Sequence, residues 1–254
     1  ARVCGITDIR EIAYFSELEY LDLKGNRITD LSPLAGLQQL KYLDLSKNFT
    51  VLSGEQAKGL NLAPLQNLTF LETLNLNGNL ITDVTPLAAL HLLKNLDLQS
   101  NRLTDISALA TCIKLETLNL SYNYGINSET GDEQGIRELS CVSSMTELRV
   151  LNVQNNIVMT LDGVENLEHL TELNVSGNYL LSLEPLETCT HLTTLSAEQN
   201  NLMDLKPLSG HPTLSYLDVR NNWIHEVPEI LKMPSLRIFY YEGNQILNYK
   251  PIDR

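Results

Sequence analysis

The feature that most constrains this chain is a nine-residue motif, LxxLxLxxN, which occurs ten times. The first copy is LEYLDLKGN at 18–26 and the last is LRIFYYEGN at 236–244. Successive copies start 22 residues apart, except for one interval of 31 residues and one of 33. A unit of this length cannot bury its apolar residues alone, so a chain with such a period indicates a stacked solenoid.

Each copy consists of a strand pattern followed by an Asn at the point where the chain turns. The alternation x-L-x-L-x predicts a short strand with one buried face, and the rest of the unit must return the chain so that the next strand lies parallel to it. The Asn that ends each copy is interpreted as a structural residue, because a buried amide both donates to and accepts from backbone groups that would otherwise be unpaired. These residues are Asn26, Asn48, Asn79, Asn101, Asn123, Asn156, Asn178, Asn200, Asn222 and Asn244.

The return segments predict short turns of 3-10 helix. An Asp that can cap a turn precedes the apolar residue at Asp30, Asp83, Asp105 and Asp204. Proline follows three residues later in several repeats, where its fixed φ suits the first turn of a helix. Leucines spaced by three, as in Leu31, Leu34 and Leu37, match the 3-10 period. Cys112 and Cys189 share the phase of Leu37 and are interpreted as small core residues.

The complete unit N-x-I-x-D-L-x-P-L-x-x-L-x-x-L resembles the 22-residue repeat of the bacterial internalins, which are leucine-rich-repeat proteins. The resemblance covers about residues 18–247. It implies an α/β fold, a right-handed leucine-rich-repeat solenoid with a parallel β-sheet on the concave face and 3-10 or short helical turns on the convex face. The chain departs from the pattern in its two long repeats, in its cysteines, and at Thr160, Gly163, Glu226 and Glu229. Phosphatase-regulating repeat proteins of eukaryotic cells share the repeat length and are the alternative relatives.

We interpret the chain, residues 1–254, as one leucine-rich-repeat domain. Residues 1–17 read as an incomplete repeat or a cap, 18–244 as ten repeats, and 245–254 as a partial repeat. The two long repeats are 40–70 and 115–147, and their extra residues follow Asn48 and Asn123. Because cut ends of a solenoid expose its core, the chain is expected to be a piece of something longer.

Charge and motif content disfavour several classes of function. With 18 Lys and Arg against 31 Asp and Glu, the net charge is −13, which repels nucleic acid and anionic lipid. The absence of an 18-residue apolar run argues against membrane insertion. Nucleophile, zinc-helix and phosphate-loop motifs are missing, and five scattered His residues do not converge. We therefore expect no enzyme activity, no catalytic residues, no cofactor and no metal. The acidic insertion around Glu129 lacks the spacing of a calcium loop.

The expected function is binding of a protein partner by a monomer, through the concave sheet and its adjacent edge. Exposed aromatics with an Arg are the usual anchors of an interface. Concave candidates are Tyr20, Tyr42, Tyr216, Arg220 and Tyr240. Candidates directly after a ladder Asn are Phe49, Tyr124, Tyr179 and Trp223, and Trp223 is preferred. The alternatives are a merely solvated strand face and side chains that pack on one another.

Two biological roles fit such a module. The first is a bacterial surface or secreted receptor or adhesin of the internalin kind. The second is an intracellular scaffold, or the regulatory segment of a larger protein. The D-L-x-P-L pattern favours the first role, and with it an extracellular or cell-surface location over a cytoplasmic one.

Overall fold

Ten strands of three residues each lie side by side in one parallel sheet, in the order in which the sequence presents them. The computed structural model describes residues 4–48 and 59–246. The sheet strands in this part of the chain are β1 (Tyr20–Asp22), β2 (Tyr42–Asp44), β3 (Thr73–Asn75), β4 (Asn95–Asp97), β5 (Thr117–Asn119), β8 (Val150–Asn152), β9 (Glu172–Asn174), β10 (Thr194–Ser196), β11 (Tyr216–Asp218) and β12 (Ile238–Tyr240).

The strands pair without any shift in register. Leu21 lies opposite Leu43, and Leu43 lies opposite Leu74, so each place in the motif stacks on the same place in the next repeat. Neighbouring strands of a sheet are about 4.8 Å apart. Every place in the repeat therefore forms a row of side chains that runs along the solenoid, and a surface of this protein is a set of such rows.

Short 3-10 helices carry the chain back to the next strand, as the sequence predicts. Those in the described residues are η1 (Arg10–Tyr14), η2 (Ser32–Leu34), η3 (Ala63–Leu65), η4 (Thr85–Ala89), η5 (Ser107–Thr111), η6 (Ser140–Ser144), η7 (Val164–Asn166), η8 (Glu184–Thr188), η9 (Lys206–Leu208) and η10 (Pro228–Lys232). The predicted Asp caps are present: the backbone N–H of Ser32 donates to Asp30 Oδ1 at 2.8 Å, and Thr85 makes the same contact with Asp83. These caps satisfy backbone donors at the turn.

Leucines fill the space between the sheet and the 3-10 turns, and nearly all of them are fully buried. Cys112 and Cys189 lie in the same layer, with Sγ 3.6 Å from the Leu87 carbonyl oxygen and 3.4 Å from the Val164 carbonyl oxygen. Burial raises the pKa of both thiols to about 11. The two cysteines are core residues, as predicted, since a thiolate is disfavoured in this apolar layer.

A ladder of Asn side chains joins the repeats at the corner that follows each strand. Asn101 donates from Nδ2 to the carbonyl oxygens of Leu76 at 3.1 Å and Leu98 at 2.9 Å, one in the preceding repeat and one in its own. Its Oδ1 accepts from the backbone N–H groups of Asn79 at 3.1 Å and Ile81 at 2.9 Å. One buried side chain thus satisfies four backbone groups of two repeats, which confirms the structural interpretation of these Asn residues.

The same contacts recur along the solenoid. Asn178 Nδ2 donates to the Val153 and Val175 carbonyls, and its Oδ1 accepts from the backbone N–H of Val158. Because each amide spans two repeats, the ladder fixes the register of one coil on the next. The rows on the surface are aligned for this reason.

The long repeat at 115–147 carries an antiparallel hairpin, β6 (Gly125–Ile126) and β7 (Glu133–Gln134), beside the ladder. Glu133 anchors it: Oε1 accepts a hydrogen bond from the hydroxyl of Tyr124 at 3.2 Å and another from the hydroxyl of Tyr179 at 2.8 Å. Tyr179 lies 46 residues further along the chain. The insertion of this repeat is thus a hairpin that is tied to a later repeat, and we call residues 125–135 the inserted arm.

Replacement of Asn101 by Ala leaves the buried backbone N–H groups of Asn79 and Ile81 without an acceptor, whereas the Leu76 and Leu98 carbonyls still accept from the neighbouring ladder Asn residues. We expect it to lower the free energy of unfolding by about 1 to 3 kcal/mol. Urea denaturation followed by circular dichroism measures the change. The matched control is Asn166→Ala on the exposed η7 turn, where the amide makes only a 3.5 Å contact with its neighbour Glu165. Equal stability of the two variants would contradict the ladder interpretation.

Replacement of Glu133 by Ala removes the acceptor that Tyr124 and Tyr179 share. We expect the hairpin at 125–134 to be cleaved at least several-fold faster by a protease, because its anchor to the later repeat is lost. The melting temperature should stay within about 2 °C, since the contact is exposed. Glu129→Ala, at the hairpin tip, is the control, and faster cleavage in both variants would assign the effect to general loosening.

Candidate protein-binding surface

The concave surface consists of three rows, formed by the third, fifth and seventh residues of each LxxLxLxxN unit. The third place supplies Tyr20, Tyr42, Thr73, Asn95, Thr117, Val150, Glu172, Thr194, Tyr216 and Ile238. These residues open or lie within the sheet strands, and their rows are aligned by the parallel register. Aromatic side chains are concentrated at the two ends of the sheet, and small polar side chains occupy the middle.

Tyr20 and Tyr42 form the aromatic pair at the N-terminal end. Their rings are stacked, with centroids 4.2 Å apart and planes within 8° of each other. Desolvation, followed by hydrogen bonding to Tyr20 and the nearby Asp44 charge, raises the pKa of Tyr42 to about 12. The pair therefore presents a neutral apolar platform at physiological pH, with the Tyr20 ring on its exposed side.

Tyr216, Arg220 and Tyr240 meet at the C-terminal end. The Arg220 guanidinium lies 5.2 Å from the centre of the Tyr240 ring, and the Tyr216 and Tyr240 rings contact edge to face with centroids 5.9 Å apart. Arg220 also donates to Asp218 at 2.6 Å and to Glu198 at 3.3 Å. The Arg220 guanidinium is thus held by the Tyr240 ring and by the carboxylates of Asp218 and Glu198, which pre-organises the cluster.

The middle of the sheet is a shallow hollow between the two aromatic ends. Its lining includes Thr73, Asn75, Thr117 and Asn119, which are small polar residues, together with Asp97. Asp97 Oδ1 accepts from the backbone N–H of Gln99 at 2.9 Å. Burial of the carboxyl group raises the pKa of Asp97, and the negative charge of Asp44 adds to this shift.

The fifth place has a local structural role that the motif does not reveal. Asn75 Oδ1 accepts from the backbone N–H two residues later at 3.0 Å, and Asn119 does the same at 3.1 Å. Both Asn and Asp make this contact, as Asp97 demonstrates. The side-chain oxygen thus supports the turn after most of the strands, and a carboxylate charge is not required for this contact.

Charge is distributed unevenly over this face. The three rows carry seven acidic residues and two basic ones, the latter being Lys24 and Arg220. The neighbouring row, at the second place of the motif, is balanced instead: Lys41 pairs with Glu19 at 2.9 Å and Lys94 with Glu72 at 2.7 Å. The acidic excess is thus a property of the concave face itself.

The row directly after the ladder Asn forms the edge of this face, and its side chains differ in exposure. Tyr124, Tyr179 and Trp223 are exposed, with Trp223 at 51%. Ile157, however, is only 1% exposed, and Leu80 is half-buried. Ile157 is buried because the inserted arm covers it: a Cβ on Gly135 would lie 3.3 Å from Ile157 Cγ1.

The candidate residues fall into separate groups. Tyr20 pairs with Tyr42, Tyr124 joins Tyr179 through Glu133, and Trp223 stands at the C-terminal part of the edge, where its backbone N–H donates to the Leu202 carbonyl at 2.9 Å. Phe49 lies outside the described residues. The sequence drew attention to Glu133 only as one of the acidic residues of the insertion, because its partner Tyr179 occupies a later repeat and no local pattern marks the contact.

The inserted arm and the edge enclose a groove with a volume of about 690 Å³. Leu80, Arg102, Tyr124 and Ile126 are among its lining residues. Among residues 4–48 and 59–246, no three metal-ligating side chains come together. No helix in this part of the chain is long and apolar enough to cross a membrane.

Comparison with known proteins agrees with this geometry. Family models described as leucine-rich repeats match residues 16–53, 92–130 and 169–190. No curated protein matches the chain by sequence.

Solved structures extend the comparison. An internalin, InlF of Listeria monocytogenes, is 25% identical with a TM-score of 0.78, over 96% of this chain and 73% of that one. Internalin C2 of the same species is 29% identical with a TM-score of 0.64, over 70% of this chain and 74% of that one. The ectodomain of the Arabidopsis thaliana receptor kinase GASSHO1/SCHENGEN3, solved in complex with CASPARIAN STRIP INTEGRITY FACTOR 2, shares the fold at 24% identity and a TM-score of 0.76, over 96% of this chain and 29% of that one. The chain thus contains leucine-rich repeats and has the fold of a leucine-rich-repeat solenoid, and in both it is similar to internalins.

Proposed function

We propose that this protein binds a protein partner through its concave sheet and the adjacent edge. The observation that carries the proposal is the arrangement of the concave rows, in which an aromatic cluster stands at each end of a middle made of small polar residues and Asp97. Exposed Tyr, Trp and Arg side chains contribute most to many interfaces because they bury large areas with little loss of side-chain entropy. The edge residues Tyr124, Tyr179 and Trp223 extend this surface toward the inserted arm.

The partner should present basic side chains to the concave face. Seven acidic residues line the concave rows against two basic ones, and the side chain of Arg220 is already paired with Asp218 and Glu198. A positively charged surface of the partner is attracted to these acidic residues over long distances, and pairing with them fixes how the partner is oriented.

Asp97 supports this charge preference. Asn at the equivalent places of the neighbouring repeats, Asn75 and Asn119, makes the same backbone contact without a charge. The carboxylate at Asp97 therefore adds desolvation that the fold does not need, as the raised pKa indicates. We infer that its charge serves a bound cation, such as a Lys or Arg side chain of the partner.

The role favoured by the resemblance is that of a bacterial surface or secreted receptor or adhesin. The similarity to InlF and internalin C2 supports it, as does the plant ectodomain that was solved with a bound ligand. An intracellular scaffold is the second candidate. The buried thiols of Cys112, Cys141 and Cys189 favour it, because thiols persist in reducing compartments. Fractionation of cells that produce the complete protein separates the two roles.

Site-specific photocrosslinking tests the binding surface. A photoreactive phenylalanine analogue in place of Tyr42 should capture a partner, whereas the same analogue at Tyr14, a convex residue that is 87% exposed, should not. Capture from the convex position alone would place the interface on the opposite face and contradict the proposal.

With the captured partner purified, we expect Trp223→Ala to weaken binding more than tenfold, because an aromatic anchor at an interface typically contributes over about 2 kcal/mol. Folding should be intact, since half of the side chain is exposed. Tyr14→Ala is the matched aromatic control, and calorimetric titration gives both affinities. Unchanged affinity of the Trp223 variant would remove the edge from the site.

Asp97→Asn should make the folded protein more stable near pH 7 while it weakens partner binding. A raised pKa means that the folded state binds the proton more tightly than the unfolded chain, so Asp97 favours folding at low pH and disfavours it as the pH rises through its pKa. The stability difference between variant and wild type should vanish below about pH 4, where both side chains are neutral. Urea denaturation at both pH values measures it, and equal affinity for the partner would show that the charge has no role in binding.

A further inference from the structure

A second apolar surface lies on the flank of the solenoid, at the third residue after each ladder Asn. In early repeats this place is occupied by Thr29, Thr82 and Thr104, which are exposed. In three consecutive later repeats it is occupied by Met159, Leu181 and Met203, which are 52%, 60% and 60% exposed. We name these three residues the flank stripe. Since Thr fulfils the structural requirement of this place, the apolar residues are not needed for the fold.

The ladder aligns the flank stripe. The residue before each member donates its backbone N–H to a ladder Asn: Val158 to Asn178 at 2.9 Å, and Leu180 to Asn200 at 3.0 Å. Leu202 makes the same bond to Asn222 at 3.0 Å. The three side chains therefore project from equivalent points of successive coils, roughly 5 Å apart.

Two exposed aromatics border the flank stripe. The backbone N–H of Tyr179 donates to the Val158 carbonyl, and that of Trp223 to the Leu202 carbonyl, each at 2.9 Å. Tyr179 thus lies beside Met159, and Trp223 beside Met203. Five large apolar or aromatic side chains are thus exposed on three consecutive coils and the coil that follows them, a concentration that soluble monomers seldom expose without a binding function.

Acidic residues surround this surface. Asp162, Glu184 and Glu226 are exposed on the convex side of the flank stripe. Asp204 is there as well, and its partner Lys206, at 3.2 Å, is the basic residue of this group. Glu198 lies on the concave side, where it is paired with Arg220. An apolar strip with an acidic rim is complementary to an apolar strip with a basic rim.

We propose that the flank stripe binds an amphipathic α-helix with basic flanks, supplied by a partner protein and laid along the solenoid axis. The pitch of an α-helix is about 5.4 Å, close to the spacing of the repeats, so apolar residues one turn apart meet successive members of the stripe. A continuous apolar strip suits the helix-in-groove mode of peptide recognition. Met side chains adapt to the shape of such a ligand. Met159, Leu181 and Met203 lie outside the concave rows, although the bordering Tyr179 and Trp223 also belong to the proposed edge. Substitutions of the stripe residues therefore test this inference independently of the concave site.

A designed peptide tests the proposal. The probe is a helix of about 18 residues with Leu at i, i+3, i+4 and i+7, Lys at the flanking positions and no Trp. Trp223 is the only Trp in the chain, so its fluorescence reports binding next to the stripe. The triple variant Met159→Thr, Leu181→Thr and Met203→Thr restores the residue of the early repeats and should bind at least tenfold more weakly. Ile113→Thr, which removes an exposed apolar residue elsewhere, should bind like the wild type.

A control peptide and three further results decide whether the stripe binds a helix. A peptide of the same composition with its Leu residues dispersed around the helix should not bind, and equal binding would reduce the effect to charge alone and overturn the proposal. Undiminished binding by the triple variant would also overturn it. Loss of binding in Tyr42→Ala, with binding retained in the triple variant, would place the peptide on the concave sheet instead. If sedimentation shows a wild-type dimer and a monomeric triple variant, a second copy of this chain is the occupant and the helix proposal fails.

Discussion

The Asn ladder is the interaction on which the rest of this structure depends. A parallel coil leaves backbone donors and acceptors unpaired at every corner, in an interior made of leucine, and an unpaired buried group is costly. Each ladder Asn, such as Asn101, satisfies groups of its own repeat and of the preceding one. Because the bonds join one coil to the next, they satisfy the backbone and fix the register at the same time.

Register explains how the protein builds its surfaces. Because equivalent residues are aligned, each variable position of the repeat forms a row of side chains along the solenoid. Such a row becomes a candidate binding surface where consecutive repeats carry a different type of residue from the other repeats. Tyr20 and Tyr42 depart in this way on the concave face. Met159, Leu181 and Met203 do so on the flank, where three earlier repeats carry Thr. The residues that give the motif its regularity are architectural, and the exceptions among its variable places are the candidates for function.

The contacts of the inserted arm cannot be predicted from the 22-residue repeat. Its sequence reads as a polar loop, yet Glu133 ties it to Tyr124 and to the distant Tyr179. The arm also buries Ile157, which belongs to an otherwise solvent-facing row. The contacts with Tyr179 and Ile157 do not follow from local spacing, because they join an insertion of irregular length to residues of later repeats.

The sequence by itself determined the coil, the strand and turn within each unit, the ladder, and the buried Cys112 and Cys189, because all of these depend on local periodicity and on one chemical requirement, a paired backbone in an apolar interior. Only the tertiary structure decided which of several equivalent places are exposed, that Arg220 is held by Asp218, Glu198 and Tyr240, and that Asp97 is desolvated. The physical reason is that burial and most of the polar contacts depend on side chains in neighbouring repeats. Those side chains occupy the variable places of the motif, which the repeat pattern does not specify.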